Sequence, residues 1–361
     1  MSRRLKCIAL VVAFLGFLIL PAEPATAAPG LQPSVTRSAN GLLSWGGLLI
    51  PFVMDTPSDL YMAWPTSTLG TVNLDELGLM SRTTGQAEAE RSLQGALDSG
   101  VLYNGSLFVV TSAPSGVWLL RLDSQTLSLE SRWHVAPSSK PLSDGSLAVV
   151  GKALWVAGGD HLLRVSLSTN RPLVSLVVKA ASRWSIATDP EGHALVVSES
   201  TANGTARIER RDPVTGRLLA RTPPLVTVDG FRLGGVYGDG VWTASSGGML
   251  GAVERFDLTM MNPPRCASVG NTDTCVQGSN GISVLVSHGL LWVFGAEQAP
   301  GGPLNDYCAN PTTGHALAAV SIQPNEDSLI AVGGHLLYIA DQGTGTVSEE
   351  PVPQGCLLAA T

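Results

Sequence analysis

The feature that most constrains this chain is a short apolar segment that returns at a nearly fixed interval. It reads LYMAW at 60–64, LFVVT at 107–111, LWVAG at 154–158, LVVSE at 195–199, VWTAS at 241–245, LWVFG at 291–295 and LYIAD at 337–341. Successive copies start 47, 47, 41, 46, 50 and 46 residues apart. A fixed period of this size means one supersecondary unit per repeat, each burying its apolar faces against its neighbours. Within the segment, the second residue is aromatic in six copies: Tyr61, Phe108, Trp155, Trp242, Trp292 and Tyr338. Val196 stands there in the fourth copy. The aromatics alternate with aliphatic or small residues, which is strand periodicity. The composition predicts a strand buried on both faces, with the aromatics packing repeat against repeat.

Turn chemistry fills in the rest of the unit. Glycine precedes the segment at Gly105, Gly151, Gly192, Gly289 and Gly334, and an apolar strand such as SLAVV at 146–150 lies upstream. Glycine between two such strands predicts a hairpin. Downstream come DPVTGR at 212–217 and NPTTGH at 310–315, with weaker copies SLSTNR at 166–171 and DSQTLS at 123–128. There an Asp, Asn or Ser caps the turn, Pro fixes φ, and Gly or Asn accepts positive φ. Each unit therefore reads as strand, Gly turn, aromatic strand, loop, strand, T-G turn, strand. About seven such units predict an all-β fold, a seven-bladed β-propeller of four-stranded blades over residues 41–361. The period is long for a β-solenoid and too regular for a pair of β-sandwiches.

The LWV segment followed by D-P-x-T-G-[RK]-x-L resembles the YVTN/quinoprotein-like β-propeller repeats of exported bacterial proteins, over roughly residues 40–358. The resemblance implies the fold rather than an activity, because this architecture hosts binders, lyases, lactonases and quinoprotein dehydrogenases. Quinone-binding members place a tryptophan soon after the T-G turn. Here Leu218 and Leu219, or Ala316 and Leu317, stand in its place, so no cofactor is expected.

The N-terminus reads as a signal peptide over residues 1–27. Arg3, Arg4 and Lys6 are followed by an apolar run from Cys7 to Leu20, then Pro21, Pro24 and a small-x-small site at Ala25-Thr26-Ala27. The run is short for a membrane span, which needs roughly 20 apolar residues; an uncleaved anchor is the competing reading. Residues 28–40 read as a linker. Cleavage removes three basic residues and one acid, leaving 22 − 3 = 19 basic and 29 − 1 = 28 acidic residues. The net charge of −9 comes without a basic run, which argues against a nucleic-acid partner. Arginine outnumbers lysine 18 to 4, which fits a GC-rich bacterial genome. The chain is read as a secreted or envelope-associated monomer without a stable membrane span.

Four cysteines remain after cleavage, and an even count in an exported chain implies disulfides. Proximity favours Cys266–Cys275 and Cys308–Cys356; the competing set is Cys266–Cys308 with Cys275–Cys356. Their spacings lack the C-x-x-C form of a zinc site, so no metal is expected at them.

No catalytic or nucleotide-binding motif occurs. Two groups of side chains are weighed as a ring site. His193, His288 and His335 precede aromatic segments, and Asp160, Glu199 and Asp341 follow them. Solvated turns account for both groups. The long insertions GAEQAPGGPLND at 295–306 and CASVGNTDTC at 266–275 are better candidates, because irregular loops on a repeat scaffold carry specificity. The reading is a non-enzymatic propeller that binds a protein or cell-envelope ligand through loops on one face. The alternative is a metal-dependent lyase or lactonase with its site at the central channel mouth.

Overall fold

Each aromatic segment is the second strand of a separate antiparallel sheet. The computed structural model describes residues 33–46, 52–69, 72–137, 145–178, 181–226, 231–245, 251–258, 265–266, 276–297, 304–320, 327–341 and 345–359, apart from 57 and 170. From the innermost strand outward, blade one is Phe52–Asp55, Leu60–Leu69, Val72–Met80 and Ala87–Ser92. Blade two is Ala96–Tyr103, Ser106–Ala113, Gly116–Asp123 and Leu129–Pro137. Blade three is Ser146–Val150, Ala153–Gly158, His161–Ser166 and Pro172–Val177. Blade four is Arg183–Thr188, Ala194–Ser200, Thr205–Arg211 and Leu218–Arg221. Blade five is Phe231–Tyr237, Gly240–Ser245, Gly251–Asp257 and the two-residue Arg265–Cys266. Blade six is Val276–Ser287, Leu290–Glu297, Leu304–Ala309 and Ala316–Val320. Inner strands of successive blades adjoin, and that of blade seven, Asp327–Gly333, adjoins that of blade one. The seven sheets therefore form a closed ring.

Blade seven joins the two ends of the chain. Its inner three strands, Asp327–Gly333, Leu336–Asp341 and Thr346–Pro351, come from the C-terminal part. Its fourth is the N-terminal Leu43–Gly46, pairing Trp45 with Val347. Ser34–Arg37, inside the stretch read as linker, adds a fifth strand beyond it. A ladder hydrogen bond thus closes the ring.

The predicted turns carry the expected backbone. Gly105, Gly151, Gly192, Gly289 and Gly334 all have positive φ, as do Gly216 and Gly314 of the T-G turns. In the turn after Asp212, the carboxylate accepts the Thr215 N–H at 2.6 Å, and Gly216 N–H closes onto the Asp212 carbonyl at 2.9 Å. The Thr215 contacts hold the Asp212 carboxyl below its usual range. Ser81–Gln86 is a further T-G turn, with Gly85 N–H on Ser81 O.

The aromatics do the inter-blade docking. All six are at most 2 % exposed, and each faces the next blade around the ring. Tyr61 O–H donates to Ser124 O in the T-G turn of blade two, and Trp242 Nε1–H to Pro311 O in that of blade six. Trp155 packs against Gly216 in the turn of blade four. Second-strand aromatics thus meet the neighbouring turns from the other side, where Leu218, Leu219, Ala316 and Leu317 carry no tryptophan.

The fourth repeat is a correction. Val196 is not the counterpart of the aromatics: it packs with Trp155 and Ala157 of blade three, facing backwards. Leu195 and Val197 face blade five. The first turn of this blade, residues 189–193, is five residues long where most blades have two. The frame LVVSE is thereby out of step by one residue, and a one-residue slip in a strand exchanges its faces.

A disulfide joins Cys308 in blade six to Cys356 in the C-terminal helix Gln354–Ala359. The second expected pair falls outside the described residues, which omit Cys275 and the Cys266 side chain. The insertion at 295–306 is partly strand, since Leu290–Glu297 and Leu304–Ala309 reach into it from both sides. The inner strand of blade six also begins early and pairs Gly278 with Gly251 of blade five, so those two sheets are continuous at that end. Among the described residues no helix is long and apolar enough to cross a membrane.

Candidate functional site

Antiparallel alternation sorts every connection onto one of two faces. First-to-second and third-to-fourth turns share one face; second-to-third and fourth-to-first connections share the other. The first face is the more uniform, its exceptions being the five-residue turn 189–193 and the seven-residue connection 258–264 of blade five. Its hairpins are mostly two residues long, as at Asn104-Gly105 and His288-Gly289, and its T-G turns repeat one geometry. The second face is variable. Its fourth-to-first connections run from residues 93–95 at the shortest to 222–230 and 267–275 at the longest. The strand ends flanking both insertions singled out in the sequence lie on this face, while residues 267–275 and 298–303 themselves are outside the described residues.

A cleft of 170 Å³ opens on the variable face between blades three and four. Val178 and Ala181 of the connection into blade four form one side, with Trp184 beneath. Backbone bonds fix that connection: Val178 N–H donates to Asp160 O at 2.8 Å and Ser182 N–H to Glu199 O at 2.7 Å. Trp184 Nε1–H donates to Gly159 O at 3.2 Å. Blade four supplies Ser198, Glu199, Ser200, Thr205, Arg207, Glu209 and Arg221. Arg211 neutralises Glu209 by bonds of 2.6 and 2.9 Å to one carboxylate oxygen. Arg207 and Arg221 have no ion-pair partner among the described residues.

The sequence candidates are dispersed. Asp160, Glu199 and Asp341 do lie at second-strand ends on the variable face, in blades three, four and seven. Asp160 pairs with His161 at 2.5 Å. The Glu199 side chain is 2 % exposed and lies 3.9 Å from Arg183. The Asp341 side chain is outside the described set. His193, His288 and His335 lie on the opposite, uniform face. His193 bonds the buried Asp189 at 3.1 Å, within a turn network that Arg210 completes from 2.7 Å. His288 has φ 52° in a two-residue hairpin, and His335 is exposed. Among the described residues no three His, Cys, Asp or Glu side chains are grouped to hold a metal ion.

The arginine cleft was not picked out from the sequence. Its signal was present in ARIERR at 206–211, where Arg207, Glu209 and Arg211 alternate onto one face. Two positive charges and one negative on one strand face leave a surplus. What the sequence could not supply was the neighbouring blade that turns this face into a cleft.

The fold agrees with a solved structure. The crystal structure of the computationally designed Ika8 protein matches with a TM-score of 0.52 over 89 % of this chain and 97 % of that chain, at 14 % identity. No protein-family model and no curated protein matches the sequence.

Proposed function

We propose that this chain is an exported, monomeric, non-enzymatic propeller that binds a protein or cell-envelope ligand through its variable face. The observation that carries this reading is that most of the irregular connections lie on one face of a regular ring. A rigid scaffold with one more regular and one irregular face is how repeat proteins separate stability from specificity. The Cys308–Cys356 disulfide supports an oxidising destination, and the leader at residues 1–27 supports export. The pairing of aromatic strands with T-G turns supports kinship with YVTN/quinoprotein-like repeats of the binding kind.

The test uses the mature chain and isolated envelopes of the producing cells. Residues 268–274 or 298–303 are replaced by Gly-Ser segments of equal length, and envelope retention is measured. Retention should fall for these variants and stay unchanged when Gly151-Lys152, on the uniform face, is replaced by Asn-Gly. Equal retention for all three chains refutes the assignment of the ligand face.

A further inference from the structure

We infer that the cleft between blades three and four is a subsite for a tetrahedral oxyanion, a phosphate or sulfate ester carried by the ligand. The inference deepens the ligand-face reading and rests on it. Its basis is charge left over after every nearby ion pair has been formed. Ser198 pairs across the ladder with Arg207, and Glu209 with Arg221. Directly opposed residues of antiparallel strands share a face, and Arg207 and Glu209 share one by their spacing of two. All four therefore look toward blade three. Glu199 also borders the cleft; its side chain alternates away from Ser198 and lies 3.9 Å from Arg183, the residue opposite it in the ladder. Glu209 is engaged by Arg211, and Asp160, which is not among the lining residues, bonds His161. Arg207 and Arg221 remain, two lining cations without an ion-pair partner among the described residues, on a chain whose net charge is −7.

The lining fits that anion better than others. Two guanidinium forks match the oxygens of phosphate or sulfate. The hydroxyls of Ser198, Ser200 and Thr205 add donors around them. Donors in this number exceed what one carboxylate can accept, about four lone-pair sites. At 170 Å³ the cleft is smaller than the roughly 300–1,000 Å³ that encloses a drug-sized ligand. It therefore takes one charged group while the rest of the ligand extends over the variable face. Arg207 is half-buried and Arg221 exposed, so the site has an inner and an outer cation.

Isothermal titration of the mature chain with inorganic phosphate and inorganic sulfate, at constant ionic strength, tests this. Saturable one-to-one binding is expected. Arg207→Gln and Arg221→Gln should each weaken it about tenfold, the loss of one charge-assisted contact. Arg171→Gln, on the uniform face, should leave it unchanged. Glucose 6-phosphate and glucose 6-sulfate then distinguish the two sources of the anion. Arg221 is exposed, so Arg221→Gln decides the matter if the inner variant unfolds. No saturable heat from either anion, or unchanged affinity in Arg221→Gln, overturns the inference. A flat titration with normal envelope retention removes the subsite alone. Retention indifferent to loop replacement removes the ligand-face reading and leaves the titration standing.

Discussion

Single side chains decide how firmly one blade holds the next. Trp242 and Trp155 occupy the same repeat position, both nearly inaccessible, yet their indole N–H groups differ. Trp242 Nε1 donates to Pro311 O at 2.7 Å, whereas Trp155 Nε1 is buried with no protein acceptor among the described residues. Trp242→Phe should therefore cost about 1–3 kcal/mol more than Trp155→Phe, because it leaves the Pro311 carbonyl unpaired. Urea denaturation of both variants measures this, and equal losses would mean that packing alone sets the cost. Asp75 works at a different junction. The residue is 6 % exposed, and its carboxylate accepts the Leu97 N–H at 2.7 Å, which ties blade one to the incoming strand of blade two. Burial pushes its pKa up to about 6 although the Leu97 bond pulls the other way. The folded chain thus keeps a proton that the unfolded chain gives up near pH 3.8. Stability falls as pH rises from about 4 to about 6 and is level beyond, by about 3 kcal/mol for a shift of this size. Asp75→Asn should remove that part of the slope while keeping an acceptor for Leu97. Urea midpoints across this range check it, and parallel curves for the two proteins would contradict the assignment.

Hairpins show where repeat chemistry is strict and where it is free. His288-Gly289 is a two-residue turn with φ of 52° and 73°, the left-handed pair that such hairpins require. A Cβ at Gly289 would meet nothing within 4 Å, so Gly289→Ala probes conformation without a clash. It should cost about 1–2 kcal/mol, the price of the left-handed region for an L-residue. His288→Asn should be neutral or stabilising by a few tenths, since asparagine accepts that region more readily. Thermal melts of the two variants test the pair, and a large loss for His288→Asn would point to a role for the imidazole beyond the turn. The same turns explain what was readable beforehand. Period, aromatic register, glycine positions and the T-G motif are local, so the blade was legible from residues alone. The slip at Val196 was not, because it depends on the turn held by Asp189, whose carboxylate accepts the His193 N–H at 2.7 Å and Arg210 Nε at 2.7 Å. The arginine cleft was hidden for a related reason: it needs two blades, and sequence periodicity describes one at a time.

Ring closure is a property of the whole chain, and two devices at blade seven secure it. The N-terminal strand is pinned by the Leu43 N–H on the Glu349 carboxylate at 2.9 Å and by Trp45 Nε1–H on Gly85 O of blade one at 3.0 Å. The Cys308–Cys356 bridge spans 48 residues, and those residues include all three C-terminal strands of blade seven. Globally, a cross-link of that span lowers unfolded-state entropy by about 4 kcal/mol on the chain model. Locally its effect is selective. If blade seven opens alone while blade six stays folded, the released segment is still anchored at Cys308 and gains less freedom than an open tail. Blades two and three lie outside the loop, so their partial openings receive no such protection. Reduction, or Cys356→Ser, should therefore raise amide hydrogen exchange first in Asp327–Gly333, Leu336–Asp341, Thr346–Pro351 and the partner strand Leu43–Gly46. Exchange in Ser106–Ala113 and Ala153–Gly158, buried second strands far from the seam, should change only by the global amount. A uniform rise through all seven blades would show that the ring opens as one cooperative unit and that the bridge acts on the unfolded chain alone.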